Sequence, residues 1–211
     1  MGGPPAQKLI GRRSSPLLVA LTSIAPVCLA QQRRSRCVGT CKTSTNRRIL
    51  AEAGESIAKF TGQGIAELGD RLGPILWQFM PTKMFDAGDF GAFLKLLPAS
   101  VDGVALRHAL EVRHQSFDDP AFIAMAREAG AAVVLADHDD YPAIAGADVG
   151  FSYLRLMRAR AEVESGYPVD ELNIWAEKAR ALSAQGDCYT FFIAGAKKRN
   201  PAAAQKLAEM L

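Results

Sequence analysis

The chain has 211 residues, 49% of them apolar and 8% aromatic, enough for one sizeable core and unlike a fibrous or wholly disordered protein. Its net charge of +3 hides a split. Residues 1–48 carry nine Lys and Arg and no acid, whereas residues 49–211 hold the other 16 of the 25 basic residues and all 22 acidic ones, a balance of −6.

Three readings compete for residues 1–44. Arg12 and Arg13 ahead of an apolar run at 16–30, with small residues near Ala30, fit a secretory leader, and the paired arginines suggest twin-arginine export. Pro16 and Pro26 interrupt that run, and it is too short and broken to span a bilayer, so no membrane partner is expected. Arg33, Arg34, Arg36, Lys42, Arg47 and Arg48 fit a basic arm, but the first aromatic residue is Phe60. Base stacking is then unavailable, and no nucleic-acid partner is expected. The favoured reading treats 1–44 as a disordered or out-of-frame segment, since acids and aromatics are both missing. Cys37 and Cys41 make a C-x3-C spacing that no second pair or nearby His completes, and Cys28 stands alone. Cys188 reads as a small core residue.

From residue 45 the chain is regular. Thr45-Asn46 reads as a cap before an amphipathic helix carrying Ile49, Leu50, Ala53, Ile57 and Phe60, and a further helical turn at 64–68 is broken by Gly69-Asp70. A strand at 74–79 follows, with Leu76 and Gln78 on one face and Ile75, Trp77 and Phe79 on the other. Helix 86–97 precedes strand 109–113, where Leu110 and Val112 oppose Glu111 and Arg113. Helix 118–129 ends at Gly130, a suitable C-cap. Strand 131–136 puts Val133, Leu135 and Asp137 on one face, and a short helix or turn is expected near 142–145. Strand 151–157, with Tyr153 and Arg155 together, helix 170–184, strand 188–195 and a final helix from 201 to 211 complete the chain.

Buried strands alternating with helices indicate an α/β fold with a parallel sheet and crossover helices. Strands end on polar residues: Gln78, Arg113, Asp137, Arg155. Groups at C-terminal strand ends suit a (β/α)8 barrel and an open doubly wound sheet alike, and periodicity leaves the two level. There is no G-x-G-x-x-G, no P-loop and no G-x-S-x-G elbow, so nucleotide binding and serine-hydrolase chemistry have no support.

The segments LGPILWQFMPTKMFD, HALEVRHQSF, VVLADHDDYP and FSYLRLM, in that order, resemble the family called domain of unknown function 72, the YecE-like proteins, and TNRRILAEAGESI resembles the helix after that family's third strand. The resemblance covers about 45–211. It implies a TIM-type (β/α)8 barrel and a site at its C-terminal end, and no reaction. Family members begin with three further β/α units that are not recognisable in 1–44. The expectation is therefore a 45–211 domain holding the last five β/α units, N-terminally incomplete through a frameshift or a misplaced start. The strands at 74–79 and 188–193 would then be open edges.

In such a barrel Gln78, Glu111, Arg113, Asp137, Tyr153 and Arg155 are expected to face inward near the strand tops. Glu111 can pair with Arg113 or Arg155 as a structural polar layer. Alternatively, Glu111, Asp137 and His114 serve as catalytic groups or hold a divalent metal, while Gln78, Arg113, Tyr153 and Arg155 bind substrate. His138 sits among Asp137, Asp139 and Asp140, a cluster that also fits turn and cap chemistry, and His108 is expected to be structural. Two functions stand: an enzyme acting on a small anionic or phosphorylated substrate, with metal assistance as an option, and a non-catalytic ligand-binding or inactive remnant. The expected location is the cytoplasm, or outside it if the leader reading holds.

Overall fold

A computed structural model of the chain describes residues 17–21, 40–41, 45–46, 48–144, 146 and 149–211. The elements run β1 (Leu17–Leu21), β2 (Thr40–Cys41), α1 (Gly54–Thr61), β3 (Ile75–Gln78), α2 (Ala87–Leu96), the hairpin β4 (Ser100–Val101) and β5 (Val104–Ala105), β6 (His108–Glu111), α3 (Pro120–Glu128), β7 (Ala131–Val133), β8 (Leu135–Asp137), β9 (Phe151–Leu156), α4 (Val169–Ser183), β10 (Asp187–Phe192) and α5 (Asn200–Glu209). The fold is mixed α/β with parallel sheets. One sheet has the order β2-β3-β6-β7 and the other β1-β10-β9-β8, each parallel throughout. Only Val134 separates β7 from β8. Its N–H donates to the Leu110 carbonyl at 2.9 Å, so one continuous stretch of chain belongs to both sheets.

The five strands expected from residue 74 onward are present within a few residues of their predicted bounds. The two open edges are not. Leu17–Leu21 lies parallel to β10 in register Leu17 with Cys188, and Thr40–Cys41 lies beside Leu76 and Trp77 of β3. An exposed strand edge presents a row of unpaired N–H and C=O groups, and an extended segment from the same chain can satisfy them. The remaining features of 1–44, including Arg12, Arg13, Arg33, Arg34, Arg36, Lys42, Cys28 and Cys37, lie outside the described residues, as do Arg47 and Ala145.

Two other expectations are corrected. The helix predicted to follow the Thr45-Asn46 cap begins instead as a 3-10 turn, Leu50–Glu52, and α1 starts at Gly54. Asp89 takes over the role of a cap there, accepting from the N–H groups of Leu50 (2.7 Å) and Ala51 (3.1 Å). The hairpin β4–β5 was not expected, although Asp102-Gly103 is the dipeptide that suits a two-residue hairpin turn; both residues have positive φ, +48° and +78°.

Strand alternation sorts the side chains as the sequence suggested. Ile75, Trp77, Phe79, Leu110, Val112 and Val133 share a core with residues of α1, α2 and α3. Leu76, Ala109, Ala132, Val134, Tyr153 and Phe191 form a second core on the opposite face. We call these the helix-covered and the inner face. His108 sits in the first of them. Its Nδ1 accepts from Trp77 Nε1 at 3.0 Å, so Nε2 carries the proton and donates to the Pro98 carbonyl at 2.9 Å. Burial pulls its pKa below 6.5. No helix among the described residues is long and apolar enough to cross a membrane.

Candidate functional site

Glu111 is the last residue of β6 and shares the inner face with Ala109. It is fully buried, so its charge requires partners. Oε1 accepts from Arg113 twice, from Nε at 2.9 Å and Nη2 at 2.7 Å. Oε2 accepts from Gln78 Nε2 at 2.9 Å and forms an ion pair with Arg155. Gln78 is directly opposite Glu111 on the neighbouring strand, so that contact follows from register alone.

Arg155 arrives by a longer route. It lies on β9, and the strand carrying Ala136 runs between β9 and β6. Two strand spacings of about 4.8 Å each separate Arg155 from Glu111. A long side chain spans that gap only if the residue beneath it is short, and the register puts Ala136 beside Arg155. Burial presses the Arg155 pKa down to about 9 and lowers that of Arg113 as well; a guanidinium keeps its charge in a protein at neutral pH. One carboxylate thus meets two guanidinium groups. Among the described residues Arg155 has Glu111 as its ionic partner, which it meets through Nη1.

The other flank of Arg113 is covered by an aromatic pair that sequence reasoning missed. The guanidinium carbon lies 4.8 Å from the Tyr141 ring centroid, within cation–π range. His138 stacks on the same ring at 3.7 Å, with the planes 11° apart. The signal was present as an aromatic residue just beyond the acidic turn that ends β8, but it has no periodicity to mark it.

Asp137 does not join this group. It alternates with Val133 and Leu135, which pack away from the inner face. Its Oδ1 accepts from Arg158 Nε at 2.7 Å and its Oδ2 from the Tyr167 hydroxyl at 2.9 Å. Tyr167 is itself buried and accepts from the Arg158 N–H at 2.7 Å. Burial, helped by the Asp137 charge, holds its phenol well above the ordinary tyrosine range. Arg158 and Tyr167 were not singled out in the sequence because both lie in the loop after β9.

His114 is a cap. Its Nδ1 accepts from the Ser116 N–H at 3.1 Å and contacts Ser116 Oγ at 2.8 Å, while that oxygen accepts from the Phe85 N–H at 2.8 Å. Tyr153 lies on the inner face, stacked on Phe191 at 4.8 Å and 22°, and burial raises its pKa.

A divalent cation does not fit these carboxylates. Both oxygens of Glu111 are engaged by cations and an amide, and both of Asp137 by a guanidinium and a phenol. Among the described residues no three His, Cys, Asp or Glu side chains converge. What the inner cluster can do is receive negative charge.

The sequence model for the protein of unknown function DUF72 matches residues 36–211, a span that takes in β2. A DUF72 family protein from Thermotoga maritima has a similar structure, with a TM-score of 0.67 and 21% identity over 82% of this chain and 72% of that one. Two structures of a DUF72 family protein from Enterococcus faecalis are also similar. One gives a TM-score of 0.61 at 15% identity, covering 92% of this chain and 97% of that one. The other gives 0.58 at 14%, covering 75% and 66%. At such identities the likeness concerns the fold. No curated protein matches the chain.

Proposed function

The chain belongs to the DUF72 family, and from that premise we propose that it binds a small anionic ligand, a carboxylate or a phosphate, between Arg113 and Arg155. The ligand sits at the C-terminal ends of the parallel strands, where α/β proteins commonly hold their ligands. The single observation carrying this reading is the excess of cationic donors. Glu111 neutralises one of the two guanidinium groups, so the largely buried pair keeps one positive charge in excess. A buried charge in excess calls for a counter-charge, and guanidinium groups match carboxylate and phosphate oxygens bidentately.

In this reading Glu111 orients the two arginines and Gln78 steadies Glu111. His114, whose Nδ1 accepts from Ser116, has Nε2–H as its remaining donor. The strands form part of a (β/α)8 barrel; the parallel order from β2 through β10 to β1 supports that arrangement. The protein works in the cytoplasm, with which the free, buried thiol of Cys188 is compatible.

Binding without catalysis is favoured over proton-transfer chemistry by one further observation. Neither Glu111 nor Asp137 has an oxygen free of hydrogen-bonded or ionic partners, so neither is poised to take a proton from a substrate. An enzyme of this family would need its acid or base from elsewhere.

Thermal unfolding in rising inorganic phosphate tests the reading. At a hundred times the dissociation constant the expected gain is about 2.7 kcal/mol, or a rise of roughly 5–10 °C for a chain of this size. Arg155→Lys, which keeps the charge and loses the fork, should reduce that rise at least by half. A melting point unmoved by both phosphate and acetate would overturn the proposal.

A further inference from the structure

The cluster of Arg113 and Arg155 around Glu111 has an apolar neighbour. Large apolar side chains that stay exposed are few among the described residues: Ile49, Met80, Met84, Val169, Ile174 and Leu211. Three of the six gather around one turn at the C-terminal end of β3. The Lys83 N–H donates to the Met80 carbonyl at 3.0 Å, closing the turn, and Lys83 Nζ donates to the Arg48 carbonyl at 2.9 Å. That second bond brings the segment carrying Ile49 against the turn that carries Met80 and Met84.

The register ties this turn to the arginines. Gln78 faces Glu111, and the ladder continues one residue further through the bond from the Phe79 N–H to the Glu111 carbonyl at 2.9 Å. Side chains alternate along a strand. Phe79 lies in the helix-covered core, so Met80 returns to the inner face, one level above Gln78 and next to the position of Arg113. Met80 is 43% exposed and Met84 62%. Unburied methionines beside a cationic cluster are adaptable apolar contact surface, since the thioether chain is flexible and polarisable.

We infer that the ligand is an amphipathic anion, whose charged head lies on Arg113 and Arg155 and whose apolar tail lies along Met80 and Met84, with Ile49 at the far end. This rests on the anion-binding reading and specifies its ligand class. A wholly polar ligand would leave the three side chains in water; an apolar tail takes them out of it. The geometry also sets an order along the ligand, because Met80 neighbours Arg113 while Met84 lies beyond the turn. Short tails reach Met80 first.

Calorimetric titration with inorganic phosphate and then methyl, propyl, butyl and hexyl phosphate tests this. Affinity should rise about twofold to fourfold for each added methylene that becomes half or wholly buried. In the double variant Met80→Ser with Met84→Ser the slope with chain length should vanish, each alkyl phosphate binding like inorganic phosphate on that same variant. Both residues are exposed, and circular dichroism checks that the variant is folded. A flat series on the unaltered protein with phosphate still bound would overturn the amphipathic ligand and leave the anion site standing. A slope that survives the double variant would overturn the placement of the tail. No binding of inorganic phosphate at all would overturn the anion reading, and this inference with it.

Discussion

Two buried carboxylates, Glu111 and Asp137, end neighbouring stretches of the same parallel array and live in opposite electrical conditions. Glu111 on the inner face is outnumbered by two guanidinium groups. Asp137, on the side away from it, is matched among the buried groups: Arg158 supplies one positive charge and Tyr167 a neutral donor, while Asp139, 3.5 Å from Arg158, is 78% exposed and solvated. Balance is what a structural cluster needs, because an unpaired buried charge is expensive. Imbalance persists where a ligand completes the set. The difference teaches that two acids with similar strand positions need not share a role.

The comparison can be broken at Glu111. Glu111→Gln leaves two buried guanidinium groups facing each other with no carboxylate between them, and should destabilise by about 3–5 kcal/mol in denaturant unfolding. Added phosphate should recover part of that loss, because the ligand replaces the missing negative charge. Ala136→Leu attacks the same cluster without touching a charge. It fills the passage over which Arg155 reaches Glu111, and overpacking of that kind costs about 1–3 kcal/mol. Phosphate binding should weaken with it.

The balanced cluster should respond less. Asp137→Asn keeps an acceptor for Tyr167 but removes the charge opposite Arg158, whose side chain is 39% exposed. Water screens that loss, and the expected destabilisation is about 1 kcal/mol. Phosphate affinity should be unchanged, and a tenfold loss would show that the two clusters are one site. The smallest effect is that of His108, a neutral contact on the helix-covered face. Its folded pKa lies below the unfolded 6.5, so the unfolded chain binds the extra proton. Stability therefore falls as pH drops below about 6.5 and is fully present above it. His108→Gln, measured by urea unfolding between pH 7.5 and 5, should flatten that part of the profile.

Much of the inner cluster could be read from the chain. Alternation set Glu111 with Arg113 and Tyr153 with Arg155, and a buried acid on a strand requires cationic partners; the structure supplies both of the arginines that were offered as alternatives. Alternation also grouped Asp137 correctly with Val133 and Leu135, yet Asp137 was expected to face inward. The parity was right and the assignment of the face was not. Which face of a buried strand points inward depends on what covers the other side, and Leu135 is covered by Trp175, Ala179 and Leu182, some forty residues further along the chain. The partners in loops, Tyr141, Arg158 and Tyr167, had no period to reveal them. The pairing of Leu17–Leu21 with β10 was hidden for another reason: a five-residue apolar run is ambiguous until a free strand edge is available to receive it.

The ion pair between Arg155 and Glu111 joins two strands that are not neighbours. The stretch between them, which carries Ala132, Val134 and Ala136 on its inner face, is crossed by that pair and is hydrogen-bonded to β6 through its first half and to β9 through its second. It cannot slide out of the sheet, or lift toward the inner face, while the pair is made. Its amides should therefore exchange with solvent only when β6 and β9 open as well. A single buried carboxylate in this way couples three strands into one cooperative unit, and a ligand drawn to its arginines would tighten that unit as a whole.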